Sequence, residues 1–218
     1  MKGAASRFAL STFGLLSLGA AAALAAAPTP APRTRPSTAN AAPCEACHGT
    51  HGAGAPPAGI PRLAGQSADY LAKQLHDYET GARDNPIMRN FARGLSDSER
   101  TELGSYYASL SAPPTVQTVQ INQQQLMRGR QLASQGDEAA RVQACDNCHG
   151  PDGSGLPYSA PYLAGQSAEY LANQIKAWQE GTRKNDAGKL MVVIAERLSS
   201  ADITAVSGYF AGLRTGTN

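Results

Sequence analysis

Cys145-Asp146-Asn147-Cys148-His149 is a CxxCH, and the same spacing occurs once earlier as Cys44-Glu45-Ala46-Cys47-His48. The two stretches use all four cysteines of the chain. Two thiols three positions apart suit thioether bonds to the two vinyl groups of one haem, and the histidine that follows reaches the iron as a proximal ligand. A CxxC pair alone would also suit a redox disulfide or half of a zinc site, but neither chemistry calls for a histidine directly after both second cysteines. The expected cofactors are therefore two covalently bound haem c groups, one iron each.

Two such motifs in 218 residues predict two domains of roughly 100 residues each. Aromatic residues make up only 6% of the chain and glycine is frequent, at 22, which suits small domains whose core is completed by an apolar prosthetic group. Lys2 and Arg7 precede an uncharged run from Phe8 to Ala27, and Ala23-Leu24-Ala25 gives the small-x-small pattern of a cleaved secretory signal. Cleavage after Ala25 lowers the basic residues from 19 to 17 against 17 acidic ones, leaving a formally neutral polypeptide. The expected compartment is the periplasm. An uncleaved anchor is the alternative, because the run is nearly long enough to cross a bilayer, although its Ala-rich second half is only weakly apolar. No other stretch approaches that length, and no basic cluster suggests nucleic acid.

The predicted organisation is a signal peptide over 1–25, a Pro/Ala-rich tether over 26–40, haem domains over 41–111 and 122–218, and a linker over 112–121. Beyond the haem motifs, Leu63-Ala64-Gly65-Gln66-Ser67-Ala68 recurs as Leu163-Ala164-Gly165-Gln166-Ser167-Ala168. Ser67 and Ser167 are expected N-caps. Leu71, Leu75 and Tyr78, matched by Leu171, Ile175 and Trp178, form helical stripes, and Gly81 and Gly181 are expected to end those helices. Ser96 to Glu99 and Ser199 to Asp202 are capping boxes before closing helices bearing Leu103, Tyr106, Tyr107 and Leu110, or Val206, Tyr209, Phe210 and Leu213. No strand-like alternation of useful length appears, so the expected fold class is all-α, with each domain wrapped around one haem.

A sixth ligand to each iron separates electron carriers from enzymes. Of four methionines, Met1 starts the signal and Met127 precedes its CxxCH, where packing is its expected role. Met88 lies 40 residues after His48 and Met191 lies 42 after His149, each seven residues before a leucine that leads into a closing helix. Core filling is the usual work of methionine. The shared phase instead predicts His48 with Met88 and His149 with Met191 as the iron ligands, each thioether held in a loop that Pro86 stiffens in the first copy. His51 and His76 are expected at the surface.

The chain resembles class I cytochromes c, and specifically the tandem two-haem cytochrome c-four family, from Cys44 to Leu213. The residues that carry the resemblance are the two CxxCH motifs, Pro61, Pro161, both Leu-Ala-Gly-Gln stretches, Met88, Met191, Leu95 and Leu198. It implies two tandem class I cytochrome c domains. Pro61 and Pro161, which would otherwise read as ordinary turn prolines, become acceptors of the proximal imidazole N–H. It also implies passage of electrons from a quinol-oxidising complex to a terminal oxidase, with no catalytic residues. Two departures accompany it: no helical stretch precedes Cys44 comparable to the one beginning near Gly129, and three residues are inserted before Met191.

The rival readings are an electron-accepting subunit of a periplasmic dehydrogenase, with the same haem chemistry and a permanent partner, and a dihaem peroxidase, which needs an open iron. A sensor would need an output domain, and none is visible. Redox proteins are the expected partners in either carrier reading, with peripheral membrane association where the leader is retained.

Overall fold

The computed structural model describes residues 41–113, 119–156 and 160–214. The expected signal peptide, the tether up to residue 40 and the centre of the linker lie outside the described residues. In the first half, α1 (Ala42–His48) carries the first CxxCH and is followed by α2 (Ala68–Thr80), α3 (Pro86–Ala92) and α4 (Asp97–Ser109). The second half contains α5 (Gln123–Ser134), the one-turn α6 (Asp146–His149), α7 (Ala168–Gln179), α8 (Leu190–Ala195) and α9 (Ser200–Gly212). Only isolated bridges, and no strands, occur among the described residues. Each half has its own apolar cluster: Leu71, Leu103, Tyr106 and Tyr107 in the first, and Leu132, Leu171, Ile203, Val206 and Phe210 in the second.

The helix starts follow from local hydrogen-bonding chemistry. The Ser67 and Ser167 hydroxyls accept from the Tyr70 and Tyr170 amides, satisfying donors that the first turn leaves open. Ser96 with Glu99 and Ser199 with Asp202 form reciprocal capping boxes. Gly81, left-handed at φ 81°, stops α2 directly, whereas Glu180 intervenes between α7 and the left-handed Gly181.

The halves differ in how the closing helix is covered. In the second, α5 crosses α9 with Gly129 at the contact, and α9 is buried on nearly every side. In the first, no helix among the described residues occupies that place, and α4 presents exposed Glu102 and Ser105 where α9 presents buried Ala205 and Gly208. The polar substitutions remove the apolar surface that a crossing helix would cover. Met127, expected to pack, is instead 65% exposed on α5, because Gly129, Leu132 and Ala133 carry the buried face.

Arg128 fastens α5 to its surroundings, bonding Asp202 through Nε and Asp137 through Nη2, both at 2.7 Å. Burial raises the Asp202 carboxyl, but bonds from Arg128 and Ser199 outweigh it and hold the group below the usual range. The Ala140 amide and Arg128 hold Asp137 low as well. Carboxylates depressed in the folded state contribute stability that is present above their unfolded value near 3.8 and is lost as pH falls through the folded value. Arg128→Leu is expected to lower the melting temperature by a few degrees at pH 7 and to flatten its decline on acidification; thermal scans from pH 7 to 3 read both.

Candidate haem sites

Helical geometry sets the two thiols of each motif on one side of a single turn, with the histidine following. Cys44 precedes Cys47 within α1, and Cys145 caps α6 ahead of Cys148. None of the four is in a disulfide. Burial pushes the Cys44 thiol up and the Cys145 thiol to about 12. A disulfide exchanger or zinc site wants thiolate, so this environment suits thiols consumed as thioethers. No cluster of three or more His, Cys, Asp or Glu able to hold a metal ion occurs among the described residues.

After each motif the chain reverses at Gly49 or Gly150, both at positive φ (74° and 73°), where a side chain would be strained. The Gly54 and Gly155 amides then donate to the His48 and His149 carbonyls, both at 2.6 Å, and the Leu63 and Leu163 amides donate to the Gly52 and Gly153 carbonyls at 2.8 Å. This lacing brings Pro61 and Pro161 back to the histidines. His48 Nδ1 lies 2.9 Å from the Pro61 carbonyl oxygen, and His149 Nδ1 lies 3.0 Å from that of Pro161. A carbonyl can only accept, so the proton sits on Nδ1 and the Nε2 lone pair is left for a metal. Burial lowers both imidazole pKa values, opposed by the proline carbonyls, and so favours the neutral form that ligates.

The sequence places Met88 and Met191 in loops; the structure places both in the first turns of short helices. Asn85 and Pro86 start α3, with Asn85 Oδ1 accepting from the Met88 amide at 2.9 Å. The three inserted residues before Met191 are absorbed by a turn at Ala187–Lys189, after which Asp186 Oδ2 accepts from the Met191 amide at 2.8 Å. Both methionines are half-buried, whereas His51 and His76 are exposed.

Where the halves meet, three arginines are buried: Arg62, Arg83 and Arg183. They bond carbonyls, amides and tyrosine hydroxyls, and none pairs with a carboxylate among the described residues. The guanidiniums of Arg83 and Arg183 stack over Tyr78 and Trp178, at 4.7 and 4.0 Å from the ring centroids. Arg62 Nε and Trp178 Nε1 are buried without a hydrogen-bond partner. Buried cations and orphaned donors call for anions, and each haem brings two propionates, so the residues present fit the group. These arginines escaped the sequence reading because an isolated arginine carries no motif. Gln66 and Gln166 were visible only as part of the repeat.

A wholly helical scaffold that gives each CxxCH a neutral, oriented histidine defines a dihaem c-type cytochrome. Residues 37–111 match the cytochrome c domain family. The thiosulfate dehydrogenase electron acceptor of Stutzerimonas stutzeri is 44% identical over 172 residues, 78% of each chain, and the cytochrome c4 of Pseudomonas aeruginosa is 38% identical over 80% of this chain and 86% of that protein. The crystal structure of reduced cytochrome c4 from Pseudomonas stutzeri superposes with a TM-score of 0.73 at 33% identity, covering 81% of this chain and 96% of that one. Thiosulfate dehydrogenase (TsdBA) from Marichromatium purpuratum gives 0.71 at 34% identity over 78% of this chain, which spans 36% of that longer polypeptide. The chain belongs to the cytochrome c4 family. It is a dihaem electron carrier with two covalently bound haem c groups, one at Cys44 and Cys47 and one at Cys145 and Cys148. No helix among the described residues is long and apolar enough to cross a membrane.

Proposed function

We propose that this carrier takes single electrons from a thiosulfate-oxidising dehydrogenase in the periplasm and passes them on to a terminal oxidase. The observation that carries the donor is the 44% identity to a protein named as the electron acceptor of thiosulfate dehydrogenase. The second reading is a quinol-oxidising complex as donor, implied by the resemblance to cytochromes c4 and served by the same haems. Export rests on the basic start, apolar run and Ala23-Leu24-Ala25 of the leader, with cleavage after Ala25. The domain limits proposed are 1–25, 26–40, 41–111, 112–121 and 122–218.

In this reading the bound haems supply a one-electron iron couple, and the protein supplies everything that tunes it. His48 and His149 ligate through Nε2, oriented by Pro61 and Pro161. Met88 and Met191 would each supply a further ligand to the iron, and a thioether ligand favours the ferrous state. Apolar side chains exposed beside each methionine, Ile87 and Phe91 on α3 and Leu190 and Val193 on α8, offer surface for transient redox docking.

The test is anaerobic mixing of the ferric protein with thiosulfate and a purified thiosulfate dehydrogenase, followed in the visible haem bands. Reduction that needs both components is expected. Failure there, with reduction by a quinol-oxidising complex, would move the donor role to that complex.

A further inference from the structure

The peptide unit that orients each proximal histidine is held at its other end by a glutamine of the opposite domain. The Pro61 carbonyl faces His48 Nδ1, and the N–H of the same peptide, on Arg62, donates to Gln166 Oε1 at 2.9 Å. Gln166 Nε2 closes the pair by donating to the Arg62 carbonyl at 3.1 Å. The arrangement repeats in reverse. The Pro161 carbonyl faces His149 Nδ1, the Tyr162 amide donates to Gln66 Oε1 at 3.0 Å, and Gln66 Nε2 donates to the Tyr162 carbonyl at 2.8 Å. Gln66 and Gln166 are nearly fully buried, at 4% and 2% exposure, and each spans the seam between the halves.

An amide whose N–H donates a hydrogen bond gains negative charge on its oxygen, so hydrogen bonds running through one peptide strengthen each other, more so where water is excluded. We propose that Gln166 tunes the haem of the first domain and Gln66 that of the second, each acting crosswise through the other domain's Pro-Arg or Pro-Tyr peptide and proximal histidine. Polarised from across the seam, the proline carbonyl accepts more strongly from Nδ1–H, and the imidazole gains basicity at Nε2. A more basic ligand favours ferric iron, so each glutamine lowers the potential of the haem it does not share a domain with. Docking of the two domains thereby sets both redox midpoints, and a partner that loosened the seam would raise them.

The inference rests on His48 and His149 being the proximal ligands. The test uses the full dihaem protein with Gln66→Met and Gln166→Met, which keep the side-chain length and apolar bulk but remove the acceptor oxygen. Each midpoint is read by redox titration with the two haems resolved in NMR spectra. The imidazole Nδ1–H signals of the parent protein report the ligation independently. Gln166→Met is expected to raise the first-domain midpoint more than the second, and Gln66→Met the reverse. Gln166→Glu, which keeps the acceptor oxygen and gives it charge, is expected to lower the first-domain midpoint. Shifts that follow each glutamine's own domain, equal shifts of both haems, or no shift would overturn the proposal while intact imidazole signals left the ligation standing. Absent imidazole signals in the parent protein would instead overturn the ligation, and the proposal with it. If the methionine variants fail to fold, a raised first-domain midpoint in Gln166→Glu alone overturns it.

Discussion

Met191→Ala is expected to lower the midpoint of the second-domain haem by at least ~0.1 V, within the ~0.8 V range over which axial ligands move haem potentials, and to let its ferrous form bind carbon monoxide. A thioether stabilises ferrous iron, and its removal leaves the sixth position to water or to nothing. The substitution spares the backbone, since the bond that starts α8 runs from the Met191 amide to Asp186 and does not involve the side chain. Alanine is also a good helix former. Met88→Ala, whose amide is held by Asn85 in the same manner, is expected to do the same to the first haem. The weak far-red sulfur-to-iron band of the ferric protein should fall to half in either variant and vanish in the double variant. An unchanged titration and band would remove the methionines from the coordination sphere.

The largest expected loss of stability is at Gly129. A Cβ there would lie 2.3 Å from the Ala205 carbonyl oxygen and 2.7 Å from the Tyr209 Cβ, far inside van der Waals contact and against backbone that cannot rotate away. α9 has little room to retreat, because Val206 and Phe210 on it are already packed with Leu171 of α7 in the buried core. Gly129→Ala should therefore force α5 and α9 apart and cost about 3 kcal/mol, the upper end for overpacking. Replacing a helical glycine elsewhere by alanine gains up to about 1 kcal/mol. Denaturant unfolding followed by far-ultraviolet circular dichroism should show the loss. A stabilised variant would mean that the two helices do not meet at this glycine.

Nearly all the covalent chemistry of this protein was legible in the sequence. Haem attachment is read from contiguous residues, and Cys-x-x-Cys-His needs only one helical turn to work. The capped helices are local too, since Ser67, Ser96 and Ser199 each bond an amide three residues on, as are the apolar faces, with their helical period. His51, in the Gly-rich turn after the first motif, and His76, which aligns with Lys176 in the repeat, are both exposed.

What tertiary structure decided are relations between residues far apart in the chain. Met88 and Met191 begin helices because Asn85 and Asp186 happen to bond their amides, a competition between loop and helix that spacing does not resolve. The first domain has no crossing helix among the described residues, and the reason, a polar face at Glu102 and Ser105, shows only when α4 is set beside α9. The buried arginines at 62, 83 and 183 look like ordinary surface residues until the halves close over them, because burial of a charge depends on what packs against it. Gln66 and Gln166 stand in a repeat that by itself speaks only of duplication. Across the seam each binds a peptide about a hundred residues away in the chain, the one whose carbonyl meets the other domain's histidine.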